Sequence, residues 1–210
     1  GAGVDEDTHG VLSHAGLDVE TLKRRAREPS FRAFAIEGAT VSVAGDVKTT
    51  DVVSHNVLAR ITGSSRPDEY VLYGAHWDAN GRNGPDAKGD PIRNGAVDNA
   101  TGTAEVLEIA RAFAKGPKPA RTVVFAAWTA EEKGLLGAEA YAASPIYPLA
   151  RTAAVINLDP HVVLPAARDV ELIGGGRTEL ELRLAEVAAK LGLRVTLEPN
   201  PEAGWYFRSD

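Results

Sequence analysis

Apolar and polar positions along the chain change rhythm near residue 60. From Phe31 to Ile61 the pattern alternates and is rich in β-branched residues ("ATVSVAG", "DVVSHNVLARITG"), which predicts two or three strands joined by glycine-containing turns. Beyond it, "EYVLYGAHWD" is a short apolar run without polar alternation, the mark of a strand covered on both faces. "RTVVFAAWTAEE" and "RTAAVINLD" have the same character, and "RDVELIGG" adds a further strand. Between the strands lie stretches of helical period. "NATGTAEVLEIARAFAKG" places apolar residues at Val106, Leu107, Ala110 and Phe113 and closes on Gly116; "GLLGAEAYAAS" and "TELELRLAEVAAKLG" follow. Strand and helix in alternation predict an α/β fold, a mixed, largely parallel sheet with helices on both faces. Near the front, residues 1–16 carry no periodicity and read as a flexible lead-in, and "LDVETLKRRARE" predicts a helix started by Asp18 and ended by Pro29. The expected organisation is therefore a lead-in plus helix over 1–30 and a single larger domain over 31–210.

Each of the three covered strands ends in ionisable groups. His76 follows "VLYGA", Glu131 and Glu132 follow "VVFAAWTA", and Asp159 follows "AAVINL". Open α/β sheets bind their ligands outside the carboxyl ends of the strands, so these groups are expected along one edge. Asp98, in the loop "GAVDNATG" just before a predicted helix, joins the same edge. Singly, each has an ordinary explanation: a satisfied polar histidine, a turn-capping aspartate, a solvated glutamate pair, a helix cap. Asn99-Ala100-Thr101 matches a glycosylation sequon, but a loop buried at such an edge would not be reached by a transferase. Together the acids present a different problem, because like carboxylates crowded at a half-buried edge repel unless something positive sits among them. No Arg or Lys interrupts these stretches before Lys133, which leaves a divalent cation as the economical answer.

Composition narrows the choice of cation and of partner. With 44% hydrophobic and 25% charged residues the chain is ordinary for a globular domain. It has no Cys, so any metal must be held by His, Asp and Glu, a donor set that suits zinc or a related transition ion better than calcium. A net charge of −6, with no basic cluster longer than "LKRRAR", argues against nucleic acid. No apolar stretch reaches the length of a membrane span, and "GAGVDEDTHG" lacks the features of a signal peptide. The absence of Cys fits cytoplasm and bacterial envelope alike.

"GAHWD", "NGAVDNATG", "AAWTAEEKGLLGA" and "VINLD", in this order, resemble the zinc-dependent aminopeptidases, whose wider family includes glutamate carboxypeptidases, glutaminyl cyclases and the enzymatically inert transferrin receptor. The similarity covers roughly residues 55 to 210. The resemblance implies that His76 and Asp159 bind one zinc, that Glu132 binds a second, and that Asp98 bridges the two. It further implies that Glu131 is the general base and that Asp78 orients the His76 imidazole. The implied activity is removal of N-terminal residues from peptides through a metal-bridged water; a glutaminyl cyclase and an inert binding domain of the same fold are the other two readings. A secreted or periplasmic location is likewise implied, as is a peptide substrate.

The chain departs from that pattern at its end. The family's second zinc takes a final His, in a motif resembling "RSDH", whereas this sequence closes on "GWYFRSD". The resemblance therefore implies a second site short of its last ligand and a domain incomplete at its C-terminal end. His161, two residues past Asp159, is more readily a surface or supporting residue than a substitute ligand. "NLDP" stands where "NLDM" is expected, which changes the loop but keeps the carboxylate. The segment "DVETLKRRARE" resembles one that follows an inserted protease-associated domain in larger members.

Overall fold

The computed structural model describes residues 6–40, 42, 44–160, 165–176 and 178–207, which divide into two compact units, Gly1–Asp51 and Val52–Asp210. In the first unit, α1 spans Glu6–His14 and α2 spans Val19–Ala26. The carboxylate of Asp18 accepts from the Thr21 N–H at 2.8 Å and caps α2, satisfying one of the free amides at its start. Helix α1 lies where the sequence carries no apolar period.

The second unit is built on a four-stranded sheet. Its strands are β1 (Val57–Ile61) and β2 (Arg66–His76); after a short hairpin, β3 (Gly81–Arg82) with β4 (Ile92–Arg93), comes helix α3 (Ala100–Lys115). Then follow β5 (Arg121–Trp128), α4 (Leu136–Ala143) and β6 (Thr152–Asn157). The sheet order is β1-β5-β2-β6, with β1 antiparallel to β5 and the other pairs parallel. Strand β5 is covered on both faces, which is why its apolar run has no polar alternation. Val124, Ala126 and Trp128 face one side with Leu72 of β2 and Tyr141 of α4. Val123 and Phe125 face the other with Ala75, Val106 and the α3 residues Ile109, Ala110 and Phe113. Helices thus cover both faces of a mixed, mostly parallel sheet, as the periodicity predicts. A separate pair of parallel strands, β7 (Asp169–Leu172) and β8 (Arg194–Leu197), flanks α5 (Leu180–Lys190).

Three expectations are corrected. Of the strands expected between Phe31 and Ile61 only β1 forms among the described residues, with none before Val57; Val41 and Val43 lie outside the described residues. Val47, Val52 and Val53 are 92%, 84% and 83% exposed, so their β-branched character finds no partner strand to pair with. Strand β6 is half covered, because it lies at the sheet edge and Val155 faces outward. Leu107 of α3 is 66% exposed, and Ile109 takes the packing position instead. No helix among the described residues is long and apolar enough to cross a membrane.

Two glycines permit close approaches, one inside the sheet and one between α3 and the loop after β6. A Cβ on Gly74 would lie 2.5 Å from Trp128 Nε1, and one on Gly102 would run into the Leu158 carbonyl. Leu72 is 2% exposed at the centre of the α4 face. Leu72→Ala should lower the unfolding free energy by about 2–5 kcal/mol, read from urea denaturation with an unchanged m-value.

Candidate metal centre

The parallel register aligns the ends of three strands. His76 closes β2 opposite Trp128, the last residue of β5, and Gly74 of β2 pairs with Asn157, the last residue of β6. The backbone beyond each strand stays in line: Trp77 N–H donates to the Trp128 carbonyl at 2.9 Å, and Leu158 N–H to that of Gly74 at 2.8 Å. This carries Asp159 and the Glu131–Lys133 turn to the same edge as His76.

His76 is fully buried, and its Nε2 lies 3.1 Å from Asp98 Oδ1 and 3.2 Å from Asp159 Oδ1. Its other nitrogen, Nδ1, donates to the Asp78 backbone carbonyl at 3.2 Å, which fixes the ring and leaves Nε2 to face the acids. Glu131 Oε2 stands 3.9 Å from the same Nε2. His76, Asp98 and Asp159 each offer a ligand atom within 4.8 Å of the others. Ligands on a tetrahedral zinc lie roughly 3.3 Å apart, given bonds of about 2.0–2.1 Å, so the His76 contacts are close to the spacing one ion would need. Nitrogen plus carboxylate oxygen, with no thiolate, is a donor set that zinc accepts.

Asp98 reaches the cluster from the start of α3. Its neighbour Asn99, joined to it by a cis peptide, is 2% exposed. Asn99 Oδ1 accepts from the Gly102 N–H at 2.9 Å, capping the helix, and Nδ2 donates to the Leu158 carbonyl at 2.9 Å. One amide thus ties the loop holding Asp98 to the loop holding Asp159. The sequence signals this residue only as the first position of a sequon, because its second partner is 59 residues away.

Asp78 stands beside the imidazole and also reaches the glutamate turn. Its carboxylate is 3.6 Å from His76 Nδ1, while its hydrogen bonds go to the glutamate turn. Oδ1 accepts from the Glu131 N–H at 3.0 Å and Oδ2 from the Glu132 N–H at 3.3 Å. The two glutamates diverge, since successive residues of a three-residue turn point roughly 120° apart. Glu131 faces the imidazole; Glu132 lies outside the close group of three. His161 and Asp210 are outside the described residues.

Burial by itself would lower the His76 pKa, but the charges of Asp159, Glu131 and Asp78 outweigh it and hold the imidazole above its ordinary value. Burial pushes the Asp159 carboxyl up as well, with Asp98 adding to the effect and His76 opposing it. Both shifts have one sign. A group with a raised folded-state pKa contributes stability that is fully present below the unfolded value and is lost as pH rises through the folded one.

Residues 56–210 match the profile of peptidase family M28. A probable zinc metalloprotease of Pyrenophora teres is 47% identical over 103 residues, covering 49% of this chain and 22% of that protein. Aminopeptidase NAALADL1 of Mus musculus is 40% identical over 112 residues, 50% of this chain and 13% of that one. A glutamate carboxypeptidase 2 homolog of Caenorhabditis elegans is 32% identical over 157 residues, 64% and 19% of the two chains. The chain therefore spans less than a quarter of the length of these relatives. Among solved structures, a zinc aminopeptidase from Bacillus subtilis superposes with a TM-score of 0.53 at 27% identity, over 71% of this chain and 37% of that chain. A peptidase M28 precursor from Shewanella amazonensis gives 0.50 at 25% identity, over 74% and 36%.

With chelator present, the urea midpoint should fall as pH rises from about 6.5 through the raised His76 value, and excess zinc should restore it. His76→Gln should flatten that slope; an identical slope in the variant would show that the imidazole is not its source.

Proposed function

The chain belongs to peptidase family M28, and on that premise we propose that it carries the catalytic centre of a zinc aminopeptidase that hydrolyses N-terminal residues from peptides. The observation that carries this reading is the environment of one nitrogen. His76 Nε2 has two carboxylate oxygens within 3.2 Å, and a third carboxylate, Glu131, stands off at 3.9 Å. Two near oxygens suit metal ligands; one farther oxygen suits a group that handles protons beside them.

In this reading His76, Asp98 and Asp159 hold one zinc. Asp98 is 55% exposed, so its carboxylate is open to a second ion, which Glu132 would share. A bound zinc supplies Lewis acidity, making water more acidic and polarising the scissile carbonyl. The protein's own work is positional and protonic. Asp78 holds the Glu131 and Glu132 amides, and so sets the direction of the Glu131 side chain. Glu131, only 15% exposed, accepts the proton of the attacking water and returns it to the leaving amine. The Asp78 carbonyl keeps the proton of His76 on Nδ1, so that Nε2 presents its lone pair inward.

Glu131→Gln should keep its zinc while turnover falls by at least about 10²-fold. Unchanged turnover of an aminoacyl anilide would remove Glu131 from this role. Asp98→Asn should release metal, measured by elemental analysis against the unaltered protein. Parallel assays on an aminoacyl anilide and on a peptide ending in glutamate separate the aminopeptidase from a carboxypeptidase.

A further inference from the structure

Beyond the His76, Asp98 and Asp159 cluster, one side chain spans the whole glutamate turn. Asn56, the residue before β1, uses both ends of its amide: Oδ1 accepts from the Thr129 N–H at 3.0 Å, and Nδ2 donates to the Gly137 carbonyl at 2.8 Å. These partners bracket the segment that contains Glu131 and Glu132. Its ends are also joined directly, Gly137 N–H to the Thr129 carbonyl at 2.9 Å and Leu136 N–H to that of Ala130 at 3.2 Å.

The bracketed backbone is strained. Ala130 has φ 56° and Leu135 has φ 60°, left-handed conformations that residues with a Cβ rarely adopt, and each lies just inside one end of the bracket. Such conformations persist only where surrounding contacts impose them. The close fit shows at Gly137, where an added Cβ would lie 2.5 Å from Asn56 Oδ1. The strand before the turn is fixed by the β1–β5 ladder, with Val57 opposite Ala127, so Asn56 is anchored by its own chain neighbour. Asp78 grips the inner amides of the turn, and Asn56 grips its two ends.

We propose that Asn56 is a positioning residue for the catalytic glutamate: by bridging Thr129 and Gly137 it holds the strained turn in the one shape that points Glu131 at His76. The inference rests on the reading of Glu131 as the general base. It assigns Asn56 no contact with substrate or metal. Removing the amide should let Ala130 and Leu135 relax toward commoner conformations and swing the carboxylate away.

The experiment compares the zinc-loaded protein with Asn56→Ala and Asn56→Asp. Asn56→Ala should lower kcat about tenfold or more on an aminoacyl anilide, the scale of a small misplacement, with KM within about twofold. It should also shift the acidic limb of the kcat/KM profile, which reports the base and which a loss of stability alone would not move. Asn56→Asp keeps an acceptor for Thr129 but has no donor for Gly137, so its kcat should fall between the two. Amide hydrogen exchange on the zinc-free protein supplies a readout independent of activity. Segment 129–137 should exchange faster in Asn56→Ala while β2 and β5 keep their protection. An active Asn56→Ala with unaltered kcat and pH limb overturns the proposal and leaves the peptidase reading intact. An inactive unaltered protein overturns the peptidase reading, and exchange then decides the positional claim: equal rates in segment 129–137 sink it. If Asn56→Ala fails to fold, the same criteria apply to Asn56→Asp.

Discussion

Crowding of negative charge around a single buried imidazole governs the chemistry of this sheet edge. Asp98 and Asp159 approach His76 Nε2 to 3.1 and 3.2 Å, and Glu131 follows at 3.9 Å. Carboxylates so close raise one another's cost of ionisation, and burial raises it further. The directions of the His76 and Asp159 shifts both register that cost: each group favours its protonated form. A proton on the imidazole offsets the repulsion in part, and a divalent cation would do so more fully. The same crowding that costs free energy in the fold is therefore what suits the site to a cation.

Bringing those groups together is a problem of register. Parallel strands β2 and β5 end level and β6 stops two residues earlier, opposite Gly74, so the residues that follow Asn157 and Trp128 emerge beside His76. The loops then need fine adjustment, and small or amide residues supply it. Gly102 lets the start of α3 approach the Leu158 carbonyl, and Asn99 bonds both the helix amide and that carbonyl. At the glutamate turn, Asp78 and Asn56 do the corresponding work from opposite sides. Buried amides and carboxylates here are satisfied largely by backbone groups, which ties the position of each functional side chain to the main chain of a different element.

Much of this was legible in the chain itself. The unbroken apolar run of β5 and the helical period of α3 and α5 follow from local stereochemistry, and the polar residues at strand ends follow from where an α/β sheet admits ligands. The stretch from Phe31 to Asn56 was misleading for the complementary reason. Its alternation satisfies the local condition for a strand, but a strand also needs a hydrogen-bonded neighbour, and none lies beside its described residues. The two-residue strands β3 and β4 were too short for their periodicity to stand out.

The sequence by itself determined the alternation of strands and helices from β2 to α5 and which ionisable residues stand at the strand ends, because these depend on residue type and spacing along the chain. Only the tertiary structure decided which glutamate faces the imidazole, that the Asp78 carboxylate holds the glutamate amides as well as standing beside the ring, that Asn56 clasps the two ends of the glutamate turn, and that Asn99 bridges two loops. Those outcomes depend on strand register, turn conformation and the direction of individual side chains. Contacts between residues 53 to 83 positions apart are fixed by the closing of the fold, and no local pattern encodes them.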